Sequence, residues 1–237
     1  VRLSEVKKLL TLYFIIDQVW NRRFDKRYLT FLTTVLEDGH HFPDDIKMLR
    51  WNYDIQFQLA FKYFSLDNPI LAYYPGLNTD SSGQRYKNKD YSLVQLNGIA
   101  GYTRDSKLGF SNFLRDYKSF NELIDTYVEE SRTRPNLITF AWEKVEDLTF
   151  KGTLTIAKEI IWKSSYLVVV GYSFPFFNRL IDKEIMQLLL DYDGFEKIYY
   201  QDKFKTGDFI RAQFNVPERI PIISVQKADQ FHIPFEF

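Results

Sequence analysis

The sequence predicts an α/β fold built on a doubly wound parallel sheet, and three observations carry that expectation. Val168, Val169 and Val170 form an unbroken β-branched run, the pattern of a strand covered on both faces in a parallel sheet. Gly171 ends the run, and apolar residues at helical spacing follow it: Leu180, Ile181, Ile185, Leu188 and Leu189. The succession of strand, polar turn and helix recurs along the chain, and that alternation is how parallel strands are connected. At 237 residues the chain is long enough for one large domain. Residues 1–237 read as a single domain, and the more charged stretch 105–150 reads as an insertion or small helical subdomain.

The elements follow in order. Ser4 is placed to cap an amphipathic helix from Glu5 to Trp20 whose apolar side holds Leu9, Leu10, Tyr13, Ile16 and Val19 or Trp20. Arg27 to Leu36 is a second helix, stopped by Gly39. His40 and His41 fall in a turn before Pro43, and adjacent histidines rarely ligate one ion together. Ile46 to Trp51 is a short strand, the segment Trp51 to Asp54 closes it, and a helix runs on through Gln56, Leu59, Ala60 and Tyr63. Asn52 and Asp54 also suit the capping of that helix. Asp67 to Asp90, rich in Asn, Ser, Gly and Tyr, reads as a long mobile loop of the kind used for lids. Ser92 to Leu96 is an alternating strand ended by Asn97 and Gly98. Phe110 to Glu130 is helical by spacing, Leu137 to Ala141 is a strand, and Lys151 to Lys163 is the helix that leads into the valine run. Asn178 is placed to cap the helix after that run. Lys197 to Gln201 is a buried strand ended by Asp202, Thr206 to Phe214 a helix, and Ile220 to Val225 the last strand.

Composition narrows the function. Lys plus Arg equals Asp plus Glu at 31 each, so no net charge draws the chain to nucleic acid or acidic lipid. The densest basic cluster, Arg22, Arg23, Lys26 and Arg27, is interrupted by Asp25 and reads as a solvated helix face. No cysteine is present, which removes disulfides and a Cys-ligated zinc site and fits a cytoplasmic protein. The apolar run Leu9 to Ile16 is too short to span a bilayer, so no membrane partner is expected. With 22 Phe and 16 Tyr, the aromatics exceed what a core of this size needs, so some are expected to line a cleft or an interface. That surplus leaves self-association into a homo-oligomer open.

Four predicted strand ends carry polar residues: Asn52 and Asp54, Asn97 and Gly98, Gly171 and Ser173, and Gln201 and Asp202. Ligands in open α/β sheets settle at the carboxyl ends of strands, so these are the candidate binding positions. In this order the segments RWNYD (50–54), QLNG (95–98), VVVGYSFPFFN (168–178) and KIYYQD (197–202) resemble the SIR2 (sirtuin-like) NAD-binding family, in particular the SIR2-like domains of bacterial proteins.

The resemblance implies a Rossmann-like domain that takes NAD as substrate or ligand, with NAD or ADP-ribose as its partner and no metal. Asn52 and Asp54 would then face the nicotinamide ribose and carboxamide, with Asn97 as the third catalytic position. Trp51, Gly98, Gly171, Tyr172, Ser173, Asn178, Gln201 and Asp202 would line the cofactor, the last two near the adenine. Three departures qualify it. The family's first strand and glycine-rich phosphate loop are absent and would belong before Val1; the zinc module of the deacetylase branch is absent; and the family's histidine is Asn97. A carboxamide has no useful basicity near neutral pH, which argues against protein deacetylation. Hydrolysis of the nicotinamide bond asks less, because a departing pyridinium leaves an oxocarbenium-like sugar that an oriented water can capture. The resemblance therefore implies an NAD hydrolase, with a role in bacterial anti-phage defence, or a degenerate relative that binds NAD or ADP-ribose as a sensor or scaffold.

Overall fold

The structure, a computed structural model, describes residues 2–37, 42–64, 72–73, 91–102, 117–143 and 148–236. In chain order these form α1 (Leu3–Ile15), α2 (Arg27–Val35), β1 (Met48–Arg50), α3 (Gln56–Phe64), β2 (Ala72–Tyr73), β3 (Leu93–Gln95), β4 (Gly98–Tyr102), α4 (Phe120–Thr133), β5 (Asn136–Ile138), α5 (Leu148–Ile161), β6 (Tyr166–Val170), α6 (Arg179–Leu190), β7 (Lys197–Gln201), α7 (Gly207–Phe214) and β8 (Ile222–Val225). The fold is α/β, with strands paired in parallel in the orders β1-β3-β2 and β6-β7-β8, and a separate antiparallel pair of β4 with β5. The chain divides into two compact units. One holds Val1–Asp25 and Glu37–Ile160, the other Lys26–Leu36 and Ile161–Phe237.

In the first unit α1 packs with both of its sides. Leu12, Ile15 and Val19 meet Ile55, Ile99, Leu123, Tyr127 and Leu137, while Val6, Leu10 and Phe14 meet Ala100, Ile138, Phe140 and Tyr53. The expected single stripe is therefore corrected, since Leu9 and Tyr13 stand exposed. The helix also begins before Ser4: Arg2 takes the cap position, its backbone N–H donating to the Glu5 carboxylate at 3.1 Å, and Ser4 falls inside the first turn. Residues Ile16–Trp20 widen into a π-helical turn. The basic cluster after it is not one helix face, because Arg22 adopts a left-handed φ of 52° and Arg27 alone reaches α2.

Two short strands were not expected. Ala72–Tyr73 pairs with β3 inside the stretch read as a loop, and Gly98–Tyr102 follows β3 after a two-residue turn and runs antiparallel to β5. β3, the central strand of its sheet, is buried at every position where alternation was expected, so both of its faces are covered. α4 starts at Phe120, capped by the Ser119 hydroxyl, which accepts from the Glu122 N–H at 3.1 Å. Residues 103–116, His40, His41, Gly39 and the rest of the 67–90 loop lie outside the described residues.

In the second unit β7 is the buried strand and β6 is not. β7 has neighbours on both sides, whereas β6 pairs only with β7 among the described strands, and of the valine run only Val169 is buried. α7 lies close on β8, since a side chain on Gly207 would come within 2.6 Å of Ile222. Stacking of Phe209 on Tyr200 covers one face of β7. The opposite face, carrying Tyr199 and Gln201, is covered by residues 227–236, for which the sequence predicted no element. Phe231 of that segment packs edge-on against Tyr28 and Phe31 of α2, and Arg27 donates to the Ala228 carbonyl at 3.1 Å.

Candidate functional site

Two sets of strand ends hold the candidate residues, one in each unit. In the first, β1 and β3 run in register to Arg50 opposite Gln95, so both strands end at the same level. The Leu96 N–H donates to the Arg50 carbonyl at 2.7 Å, and the Asn97 amide donates to the Trp51 carbonyl at 2.8 Å. Trp51, Asn52, Asp54, Asn97 and Gly98 are therefore neighbours at one edge. Their side chains differ in what they have left to offer. Asn97 is buried and tied to the loop that carries Asn52. The Asp54 carboxylate pairs with the Arg50 guanidinium at 2.5 Å and accepts from the Gln56 N–H at 3.0 Å, so it both neutralises a buried cation and starts α3. Asn52 is exposed and makes no hydrogen bond to any described residue.

Gly98 is explained by packing. Its φ is +74°, and a Cβ there would sit 1.8 Å from the Leu137 carbonyl oxygen. Two neighbours had no role in the sequence reading. Gln95 is fully buried, and neither its amide oxygen nor its nitrogen has a partner among the described residues. Tyr53, between the two candidate residues, has its phenol pushed up to about 12 by burial and by the Glu143 carboxylate, so it stays a neutral hydrogen-bonding group. A polar residue inside an apolar strand was the visible signal for Gln95.

The second set lies where β6 and β7 end side by side, the Gly171 N–H donating to the Gln201 carbonyl at 2.9 Å. Gly171 has φ +59°, and apart from its chain neighbours no atom of the described residues lies within 4 Å of where its side chain would begin, so that flank of the turn is open among them. Tyr172 turns inward. Its hydroxyl contacts both Asp182 carboxylate oxygens, at 3.1 and 3.0 Å, and accepts from the Asn178 amide at 2.8 Å. Burial first, and the Asp182 charge second, push its pKa far up, so it serves as a fixed donor. The cap expected of Asn178 is corrected: it occupies the position before α6, but its side chain makes no cap bond and is spent on Tyr172.

Ser173 is exposed at the turn. Phe174 beyond it holds a left-handed φ of 51°, kept there by ring contacts with Tyr172 and Phe214. Gln201 is buried and fully used: its amide donates to the carbonyls of Lys227 and Gln230, and its oxygen accepts from the His232 N–H. Asp202 accepts from the N–H groups of Phe204 and Lys205, both at 2.8 Å, and so shapes the β7–α7 loop. Phe176, Phe177, Leu180 and Phe204 project around these ends, with Phe176 84 % and Phe204 85 % exposed. Much of the aromatic surplus is accordingly at the surface.

Among the described residues no group of His, Asp and Glu is arranged to hold a metal, and no helix is long and apolar enough to cross a membrane. The chain matches no protein-family model, no curated protein and no solved structure.

Proposed function

We propose that the chain is a SIR2-like module that binds NAD at the carboxyl ends of its parallel strands and hydrolyses it to nicotinamide and ADP-ribose. The fold this implies is Rossmann-like and doubly wound, and its support is the uniform parallel pairing within both three-stranded sheets. The observation that carries the reading is Asn52, an exposed amide with no described partner, two residues after the end of β1 on a loop fixed by Asn97 and by the Arg50–Asp54 pair. An amide so held orients an attacking water without being able to take its proton. The pyridinium needs no protonation to leave, so an oriented water is the main requirement at the sugar. Asn97 and Asp54 act through the loop they hold. The setting is a cytoplasmic one, and the biological role is NAD depletion in bacterial defence against phage.

A second reading is favoured by the internal engagement of Asn97 and Asp54: a catalytically silent module that binds NAD or ADP-ribose as a sensor or scaffold. Incubating the chain with NAD and following nicotinamide by chromatography separates the two. Release that falls at least tenfold in Asn52→Ala and persists in Lys183→Ala supports hydrolysis, with the tenfold floor taken from the range of about 10²–10⁴ for a positioned catalytic group. No release, with ADP-ribose raising the melting temperature, supports the silent module. Neither release nor stabilisation sinks both.

A further inference from the structure

We infer that Lys205 is the cation that receives a phosphate of the ligand at the ends of β6 and β7. This rests on the NAD reading above and adds to it a residue that the resemblance does not supply. The argument starts from how the side chain is held. Asp202 accepts from the N–H groups of Phe204 and Lys205, and this tight turn bends the loop back after β7. The Lys205 ammonium then lies 3.9 Å from the Phe209 ring centroid and 3.4 Å from the Ser173 carbonyl oxygen. A ring face and a carbonyl fix the position of a cation without cancelling its charge. No carboxylate among the described residues pairs with Lys205. Of the two acids three residues away, Asp202 points its Oδ1 at backbone donors and Asp208 accepts from the Thr206 hydroxyl at 3.4 Å.

Lysine normally surrenders such order to solvent, because its long stem carries considerable rotamer entropy. Here the ring and carbonyl contacts, at 3.9 and 3.4 Å, restrict that freedom before any ligand arrives. The ammonium is anchored beside the exposed Ser173 and two residues from the open flank of Gly171. An ordered, uncompensated cation at the carboxyl ends of parallel strands is built for an oxyanion, and the nucleotide class that fits is one with a phosphate or pyrophosphate next to its ribose.

Isothermal titration of the chain with ADP-ribose, AMP and adenosine tests this, with inorganic pyrophosphate as competitor. In Lys205→Met, which keeps the length and the ring contact, affinity for ADP-ribose and AMP is expected to fall about tenfold or more, as for loss of one charge-assisted contact. Adenosine is expected to bind the variant and the parent alike, Lys205→Arg is expected to recover most of the loss, and pyrophosphate is expected to compete with ADP-ribose only in the parent and the Arg variant. Lys205 is partly exposed, and an unchanged melting temperature verifies that the variant is folded. An ADP-ribose affinity within twofold of the parent in Lys205→Met overturns this inference and leaves the NAD reading standing. A parent chain that binds neither ADP-ribose nor AMP overturns both, and equal losses for adenosine and ADP-ribose assign Lys205 to loop structure instead.

Discussion

Two glycines that look alike in the sequence, each grouped with a polar residue at a predicted strand end, do different work. Gly98 has a positive φ and a carbonyl oxygen 1.8 Å from where a Cβ would be; Gly171 has a positive φ and empty space. Gly98→Ala is therefore expected to cost several kcal/mol, since the backbone of β5 itself must shift, while Gly171→Ala is expected to cost about 1 kcal/mol, the strain of a left-handed alanine alone. Urea unfolding of the two variants decides it, and equal losses would mean that the Leu137 contact relaxes at no cost. A positive φ was foreseeable at both, but the steric reason at Gly98 depends on a residue 39 positions on, which no local pattern shows. The same holds for Gln201. As the last residue of a buried strand it reads as a ligand contact, yet its amide meets partners 26 to 31 positions later, and Gln201→Ala leaves two carbonyls and one N–H of the C-terminal segment without it.

At the scale of elements, sequence pattern revealed β6 and β7 through their β-branched or aromatic runs, and also placed β1, β3, β5 and β8; β2 and β4 it did not show. β4, with two glycines in five residues, has little intrinsic preference for a strand and exists because β5 pairs with it. The C-terminal segment is the clearest element hidden from periodicity: without helix or strand spacing, it is held by Gln201, by Phe231 against α2, and by Glu236, which bridges Lys197 and the Tyr199 hydroxyl. His232 sits in this segment with its ring 4.7 Å from Tyr199 and its Nε2 buried and without a partner among the described residues. Burial lowers its pKa below the ordinary 6.5, with the Glu236 carboxylate opposing the shift and the Lys197 ammonium paired to that same carboxylate. The sign follows. Above 6.5 the ring is neutral in folded and unfolded chains alike, and as pH falls below that value the unfolded chain takes the proton first, so stability is lost until the folded ring is protonated too. Melting temperatures measured from about pH 7.5 down to about pH 5.5 are expected to fall, and His232→Phe is expected to flatten that slope. An unchanged slope in the variant would assign the acid sensitivity to other groups.

For the whole molecule, charge and surface composition act together. The formal net charge is +0 at pH 7, so long-range repulsion between copies is weakest there. Phe176, Phe177, Leu180 and Phe204 stand exposed at the strand ends of one unit. Large apolar side chains at a surface without net charge favour association, and a balanced pI was legible from composition alone. Which aromatics reach the surface was not, because Phe174 and Phe176 are two residues apart in one turn and only the backbone conformation buries the first. Static light scattering of the chain is therefore expected to show its strongest attraction near pH 7 and weaker attraction at about pH 5 and about pH 9.5, where carboxylates and histidines on one side and lysines and tyrosines on the other begin to titrate and copies carry like charge. The double variant Phe176→Ser with Phe204→Ser is expected to weaken that attraction at pH 7 while leaving the net charge, and so the position of the extremum, unchanged. An extremum that stays but does not weaken would place the contact elsewhere on the surface. One that moves would show that ionisation, and not these side chains, governs association.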